Sequence, residues 1–428
     1  MIGKVTDAVV KVYFTATAFL MYYFLNETAY IGGIGVTYRH LFALLIVASA
    51  FVYFLISPDI ARGAVSVKGA LVYSVPLLVM LVASMLIWVV DKSSTATILR
   101  GISGCLFYTN WLSCALAAGA LLYVCGEDGI WYNLAALVAA NLLMLVGIMR
   151  EDGIGAFFSE FFTLVTTFAG TTGDVIVKAE IHELAFCLGA YLIYMLYKPR
   201  KKAWFWVLFS LAAFCFLAAF KRIALVAMAA VFVVRLGFFL VSKVSKRAMC
   251  RFANGVMLVA VLLLIAYVGA IKADVFTLLE KAGVDTSGRA YVYAHVNEYY
   301  RFSPTFIGNG IGFLTYQLNE VVSLGVSAVH NDFLQFFVDL GFFGYILWLL
   351  SMAVLRTGYF GRDGDGDTAA VTTLLLLYLF IVSATDNTVN YPLLTTVLAI
   401  LIMGNGYTKR VEQQSRRWGV YDENSDGE

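Results

Sequence analysis

The chain has 428 residues, of which 61% are hydrophobic and 14% are charged. About a quarter of the residues of a soluble domain are charged, so this composition excludes an ordinary soluble protein. The formal net charge of +2 points to no particular partner, and we predict that nucleic acid is not one.

Long apolar runs account for most of the chain. A transmembrane helix needs about 20 predominantly apolar residues, and the alternating ten-residue segments typical of a β-barrel are absent from the sequence. We therefore predict an all-α polytopic membrane protein with a membrane domain over residues 1–407. The predicted spans, about twelve, are residues 8–25, 40–57, 70–90, 102–124, 129–149, 183–197, 203–220, 223–242, 252–272, 332–355, 369–385 and 391–407.

The clusters of lysine and arginine set the predicted orientation. Cytoplasmic loops of membrane proteins carry an excess of these residues. With the N-terminus inside, the dense clusters, such as those at 198–202 and 243–251, fall on the cytoplasmic side. This predicts that both termini are cytoplasmic and that residues 273–331 form a large external loop before the tenth span. Residues 408–428 are predicted to be a disordered polar tail.

Three smaller features are interpreted without a functional role. The six cysteines show no CxxC spacing, so we predict buried apolar residues and neither a metal site nor disulfides. The aromatic patch at 157–162 is predicted to lie at the membrane interface. Residues 362–367 resemble a calcium loop, but no glycine follows Asp367 and Leu374 stands where the closing glutamate belongs. We predict a solvated turn there.

Lys221 and Arg222 separate the apolar runs at 203–220 and 223–242. Inserting a charged residue at membrane depth costs about 2.5–3.5 kcal/mol even on the scale that gives the lowest values. The presence of this pair between two apolar runs therefore has to be explained. One interpretation is a pair of snorkelling cations that marks a helical hairpin. The other is an anion site, because a guanidinium pairs with phosphate oxygens in bidentate fashion.

The predicted external loop contains an arginine and a glycine-rich segment. Arg289 follows Ser287-Gly288 and, taken alone, is typical of a solvated loop arginine. Gly308, Gly310 and Gly312 follow no strand, so they are not a dinucleotide fingerprint. They predict a tight backbone turn beside a ligand or a helix end.

A polar stretch meets an apolar run at His330-Asn331-Asp332. His330 and Gly341 are eleven residues apart, about three helical turns, so on a helix they would share a face. Position alone favours His330 as an interfacial residue with Asn331 or Asp332 as the helix cap. The alternative is a general base near neutral pH. Asp386, at the external end of the eleventh span, either lies in an interfacial loop or faces the same cavity.

Jointly these residues resemble the O-antigen ligase and Wzy-type polymerase superfamily. The spacing of His330 and Gly341 matches the histidine–ten residues–glycine motif of its ligases. The chain departs from the ligase arginine motif, because Arg222 is followed by Val226 where leucine is expected, and Lys221 stands where many members have serine. The residues that fit the superfamily pattern are Pro304, Gly308, Gly310, Gly312, Phe313, His330, Asn331, Leu334 and Gly341.

The resemblance implies an inverting, metal-independent glycosyltransferase on the outer face of a bacterial cytoplasmic membrane. The donor would be a polyisoprenyl-pyrophosphate-linked oligosaccharide, the acceptor another glycan, and no cofactor would take part. His330 would deprotonate or orient the acceptor hydroxyl, while Lys221, Arg222 and Arg289 would bind the pyrophosphate. Supporting roles would fall to Gly308, Gly310, Asn331, Gly341 and Asp386.

The leading prediction is a polymerase that joins repeat units into a surface polysaccharide, with a chain-length regulator and a flippase as implied partners. A ligase that moves glycan onto a lipid core or a protein would use the same chemistry. A solute transporter or a flippase for lipid-linked oligosaccharide is the alternative from another class. Against a transporter, the sequence shows no internal repeat and no obvious mid-span ion pair. A flippase would need charged residues along a cavity across the bilayer, whereas here the candidates gather at one predicted face.

Overall fold

A computed structural model describes residues 2–31, 34–95, 97–99, 101, 110–167, 175, 178, 182–284, 286–318, 329–361 and 366–419. Cys105, residues 362–365 of the predicted solvated turn and residues 420–428 of the predicted tail lie outside these ranges. The described residues are almost entirely helical, so the predicted all-α class is confirmed.

The chain divides into two compact units. The first unit comprises Met1–Leu71, Leu112–Ala230 and Pro392–Glu428. The elements that lie wholly or mostly in it are α1 (Ile2–Tyr23), β1 (Thr28–Ile31), β2 (Ile34–Thr37), α2 (Tyr38–Ile56), α3 (Ile60–Tyr73), α5 (Asn110–Cys125), α6 (Gly129–Asp152), α7 (Ile154–Thr167), α8 (His182–Tyr197), α9 (Ala203–Ala218), α18 (Pro392–Gly404) and α19 (Tyr407–Arg417).

The second unit comprises Val72–Trp111 and Val231–Tyr391. Its elements are α4 (Val75–Val90), most of α10 (Arg222–Ser242), α11 (Lys246–Lys272), α12 (Val275–Lys281), α13 (Arg289–Val296), α14 (Phe313–Tyr316), α15 (Asp332–Leu350), a π-helical turn at Ser351–Leu355, α16 (Arg356–Phe360) and α17 (Gly366–Ser383). Within this unit α15 packs against α4 and α11, and α11 packs against α17.

Six of the described helical stretches are long and apolar enough to cross a membrane, and the broken pair α3–α4 would make a seventh. One of the six, Trp111–Asp152, has 42 residues, more than a hydrocarbon core of about 30 Å requires. The 3-10 turn Gly126–Asp128 divides it into α5 and α6, where the sequence separates two spans. The count of twelve spans is not confirmed. The membrane-capable stretches are Tyr38–Ile56, Trp111–Asp152, Arg222–Ser242, Lys246–Lys272, Asp332–Phe360 and Gly366–Ser383.

Helix ends fall where the sequence carries breaks. Between α9 and α10 the backbone turns at Phe220, which has a φ of +43°, so the separation predicted at Lys221-Arg222 is confirmed. The span predicted over 70–90 is broken at Ser74, where α3 ends and α4 follows. Pro76, in the first turn of α4, lacks an amide hydrogen, and proline favours a helix start over a helix interior.

Two local structures differ from the sequence prediction. β1 and β2 pair as an antiparallel hairpin, which was not predicted. Its signal is a Gly-Gly pair between short runs of strand-forming residues. The tail predicted to be disordered is helical over Tyr407–Arg417, because the buried Tyr407 side chain anchors α19 through a 2.8 Å hydrogen bond to the Ser66 hydroxyl.

The interior of the first unit contains polar side chains that are paired. Asn133 Oδ1 accepts hydrogen bonds from the hydroxyls of Tyr22 at 2.7 Å and Tyr191 at 2.6 Å. Arg39 forms an ion pair with Glu183 at 3.1 Å. Buried polar groups are costly unless they are hydrogen-bonded, so these contacts fix the mutual positions of α1, α2, α6 and α8.

Candidate active site

The glycine-rich segment crosses α15 at backbone contact distance. Gly341 leaves helical geometry, with φ +71° and ψ −179°. A Cβ on Gly341 would stand 2.1 Å from the carbonyl carbon of Ile307, and a Cβ on Gly308 would stand 2.4 Å from the amide nitrogen of Gly341. Glycine is therefore required at both positions, for its backbone conformation and for the close approach.

Asp339, fully buried on α15, fastens the same turn. Its backbone oxygen accepts hydrogen bonds from the amides of Asn309 at 3.1 Å and Gly310 at 2.8 Å. Its carboxylate accepts from the amides of Gly312 and Leu314, both at 3.0 Å. No role was predicted for this residue from the sequence. The available signal was its position, because an aspartate within an apolar run is costly and usually has a structural or functional role.

The N-terminal end of α15 is built by a buried asparagine. Asn331 caps the helix by accepting from the amide of Leu334 at 3.1 Å. Its side-chain nitrogen donates to the hydroxyls of Tyr267 at 3.1 Å and Tyr293 at 3.2 Å, and its backbone amide donates to Asn387 Oδ1 at 3.1 Å. Burial raises the pKa of Tyr293, so this phenol stays protonated.

Asp332 ties the same helix end to the segment that follows α17. Its carboxylate is buried and accepts from the Thr388 hydroxyl at 2.8 Å and from the Val389 amide at 3.0 Å. The sequence predicted Asp332 only as an alternative helix cap. Together with the contact from Asn331 to Asn387, these bonds hold the segment 385–391 against the start of α15.

His330 stands next to this segment in a left-handed backbone conformation, with a φ of +52°. Its side chain is 51% exposed, and its Nδ1 lies 3.7 Å from Oδ1 of Asp386, which is 6% exposed. That distance is within ion-pair range and longer than a hydrogen bond. Asp386 Oδ1 accepts from the Asn387 amide and the Tyr391 hydroxyl, both at 2.8 Å, so this carboxylate is held in place.

Arg289 is anchored to the residue before Asp386. Its Nη2 donates to the Thr385 carbonyl at 2.9 Å. Ser287 and Gly288, both with positive φ, turn the chain into α13, which begins at Arg289. The buried Nε of Arg289 has no hydrogen-bond partner among the described residues. Arg289 and His330 are thus both linked to one short segment of the second unit.

The shared helical face proposed for His330 and Gly341 is wrong. His330 precedes the cap residue Asn331 and is not helical, and Gly341 itself interrupts the helix. The separation of His330 and Gly341 along the chain instead sets how much helix lies between the N-terminal end of α15 and the point where Gly308 contacts Gly341.

The candidates from the sequence fall into two groups. The second unit brings Arg289, His330, Asn331 and Asp386 together. It also contains the point where the glycine-rich segment, with Gly308 and Gly310, crosses α15 at Gly341. Lys221 and Arg222 belong to the first unit, where Lys221 Nζ lies 5.9 Å from the Phe186 ring and Arg222 is exposed at the start of α10.

The arrangement has a defined chemical capacity. A partly exposed imidazole beside a fixed carboxylate can accept and return a proton, and an arginine can stabilise an anion that forms next to it. Within the described part of the chain, no three His, Cys, Asp or Glu side chains gather as a metal site.

Residues 206–349 match a family model described as O-antigen ligase. The resemblance seen in the sequence is thereby confirmed over the part of the chain that contains Arg222, Arg289, His330 and Gly341. Asp386 lies beyond the matched range. A search of curated proteins finds no match.

Proposed function

We propose, taking the match to the O-antigen ligase family as the premise, that the chain is a membrane glycosyltransferase with His330 at its reacting centre. The observation that carries the proposal is the placement of a half-exposed histidine against a held, buried carboxylate, with Arg289 anchored to the adjacent residue. Such a combination suits a transfer in which one group gives up a proton and another leaves as an anion.

In the proposed reaction, a hydroxyl of the acceptor glycan attacks the anomeric carbon of a lipid-linked oligosaccharide. The new carbon–oxygen bond forms as the bond to the diphosphate breaks, with inversion at that carbon. Nε2 of His330, the ring nitrogen that does not face Asp386, takes the hydroxyl proton. Asp386 stabilises the imidazolium that results. Positioned bases of this kind contribute about 10²–10⁴-fold in rate.

The leaving group is a polyisoprenyl diphosphate, whose charge increases as the glycosidic bond breaks. Arg289 would supply the positive charge that stabilises the phosphate oxygens of the leaving group. For Lys221 and Arg222, in the first unit, we retain the role that the resemblance implies, which is binding of pyrophosphate. No step requires a metal ion or a cofactor.

An apolar groove of about 490 Å³ lies between α4 and the second half of α15. Ile307, which directly precedes Gly308, lines it together with Leu86, Phe343 and Leu347, and all four side chains are largely exposed. The groove therefore begins at the crossing below the site. We expect the polyisoprenyl chain to occupy it.

A polyisoprenyl diphosphate that carries a photoreactive group in its chain should crosslink to α4 and to residues 340–350. Mass spectrometry of the digested protein would locate the crosslinks. Adducts confined to the first unit would contradict this placement of the lipid.

We infer a polymerase that joins repeat units into a surface polysaccharide on the outer face of a bacterial cytoplasmic membrane, with both termini in the cytoplasm. A chain-length regulator and a flippase for the lipid-linked unit would be its partners. The second candidate is a ligase, which uses the same site with a lipid core or a protein as acceptor. The family description favours the ligase by name, and no described residue distinguishes the two acceptors.

Reconstitution of the purified protein tests the proposal. The protein in lipid nanodiscs is incubated with a polyisoprenyl-diphosphate oligosaccharide, and the products are separated on a gel. A ladder of lengths supports the polymerase, and transfer only onto an added acceptor supports the ligase. If neither assay gave a product and the protein instead moved solute or lipid-linked glycan into vesicles, the proposal that it is an enzyme would be overturned.

Arg289→Lys should reduce turnover about 10²-fold, the typical effect of losing one preorganised donor to a developing anion. Lysine keeps the positive charge but cannot form the bidentate contact or reach the Thr385 carbonyl in the same geometry. Release of polyisoprenyl diphosphate is the measurement. Arg301→Lys, at an exposed arginine outside the site, is the matched control and should retain turnover. Equal activities for the two variants would exclude Arg289 from the reaction.

A further inference from the structure

A second, smaller cavity of about 100 Å³ is lined by the part of the glycine-rich segment that follows Gly308. Its volume is about one fifth of that of the apolar groove along α4, which suits a single ring of a substrate and excludes a lipid chain. All of the lining residues that the structure describes belong to the second unit. They include Trp88, Thr97, Asn309, Phe313, Tyr316 and Gln317.

The cavity is built around the Trp88 indole. Two glycines from separate segments, Gly101 and Gly310, pack directly on this ring, since a Cβ would stand 2.0 Å from it at Gly101 and 2.2 Å from it at Gly310. The absence of side chains at these two positions makes room for the indole. Gly310 is in turn fixed by its hydrogen bond to the Asp339 carbonyl at 2.8 Å.

The chemistry of the lining favours a neutral ligand. No lysine, arginine, aspartate or glutamate is among the lining residues that the structure describes. The amides of Gly312 and Leu314, which would otherwise attract an anion, already donate to the Asp339 carboxylate. A diphosphate would therefore find no partner for its charge in this cavity.

The described side chains that line the cavity are mostly aromatic rings and uncharged polar groups. Trp88, Phe313 and Tyr316 supply apolar faces, and Gln317 supplies an amide. The Asn309 side-chain nitrogen donates to the carbonyls of Tyr299 at 3.3 Å and Val338 at 3.0 Å, which orients its amide and leaves Oδ1 for a ligand. A sugar ring, with C–H faces and hydroxyl edges, has the complementary pattern.

We propose that this cavity is a glycan subsite, which holds one uncharged sugar ring of the substrate beside the glycine-rich turn. The inference rests on the proposed function, because it takes the substrate to be a glycan. Such a subsite would select the repeat unit by its size and by its lack of charge at that ring.

The test uses the reconstituted full chain and the lipid-free repeat oligosaccharide of the source organism's own surface polysaccharide. Saturation-transfer NMR should show contact of one ring with the wild-type protein, and Tyr316→Ala and Gln317→Ala should weaken that signal. In the transfer assay the same variants should raise KM for the glycan roughly five- to tenfold with little change in kcat. Tyr30→Ala, at a tyrosine that is 80% exposed and does not line the cavity, should behave as wild type.

The outcomes separate the two proposals. Wild-type turnover with unchanged KM and NMR signal in both cavity variants would overturn the subsite and leave the transferase intact. A loss of kcat at unchanged KM would also overturn it, because that result indicates a structural role. If the wild-type protein shows no transfer, the proposed function fails, and the NMR experiment alone decides whether the cavity binds the glycan.

Discussion

His330→Asn is expected to lower turnover by about 10²–10⁴-fold while leaving thermal unfolding of the purified protein unchanged. Asparagine is the substitution of choice because His330 has a φ of +52°, a left-handed conformation that asparagine tolerates better than alanine does. The imidazole is also half-exposed, and its 3.7 Å approach to Asp386 is longer than a hydrogen bond, so its loss should cost little stability.

His295→Asn is the matched control for this experiment. His295 lies on α13, and its ring contacts Tyr291 with centroids 5.2 Å apart. We expect wild-type turnover from this variant. A His330→Asn protein with near-normal turnover would exclude His330 as the base, and one that lost its thermal transition would show that the histidine has a structural role.

Asp339→Ala should be the most destabilising of the single substitutions. The change leaves the buried amides of Gly312 and Leu314 without an acceptor, and each unsatisfied donor costs about 1–3 kcal/mol, so the unfolding free energy should fall by about 2–6 kcal/mol. Asp339→Asn keeps one acceptor oxygen and should lie between alanine and wild type.

Thermal unfolding in detergent and hydrogen exchange of residues 308–316 measure this effect. Exchange should accelerate most in that segment, because the carboxylate holds it against α15. Asp91→Ala, at an exposed position at the C-terminal end of α4, is the matched control and should change stability by less than about 0.5 kcal/mol. If Asp339→Ala unfolded and exchanged as wild type, the fastening role would be refuted.

The helices could be predicted because their limits depend on local sequence. Apolar runs of sufficient length, with charged pairs such as Lys221-Arg222 between them, mark where a span must end, and the observed boundaries lie close to the predicted ones. The hairpin of β1 and β2 was not predicted because its strands have only four residues each, the lower limit for a recognisable alternation of apolar and polar residues. The break at Ser74 was missed because the apolar character continues through it, although Pro76 was a visible signal.

The site was only partly predictable. His330, Arg289 and Asp386 could be named because polar residues stand out at the ends of apolar runs. Their contacts could not, because the Arg289 bond to the Thr385 carbonyl joins residues 96 positions apart. The buried Asp339 was also overlooked, since its partners are backbone amides that no side-chain pattern reveals. The prediction of a shared helical face failed because it assumed helical geometry at His330 and Gly341.

The central claim is that His330 acts as the base beside the Asp386 carboxylate, and a double-mutant cycle on release of polyisoprenyl diphosphate tests it most directly. Asp386→Asn keeps the size of the side chain but removes the charge that would stabilise the imidazolium. We expect this variant to lose about 10–10²-fold in turnover, and the double variant with His330→Asn to be no slower than His330→Asn alone. Losses that multiply in the double variant, or wild-type turnover of Asp386→Asn, would contradict the claim.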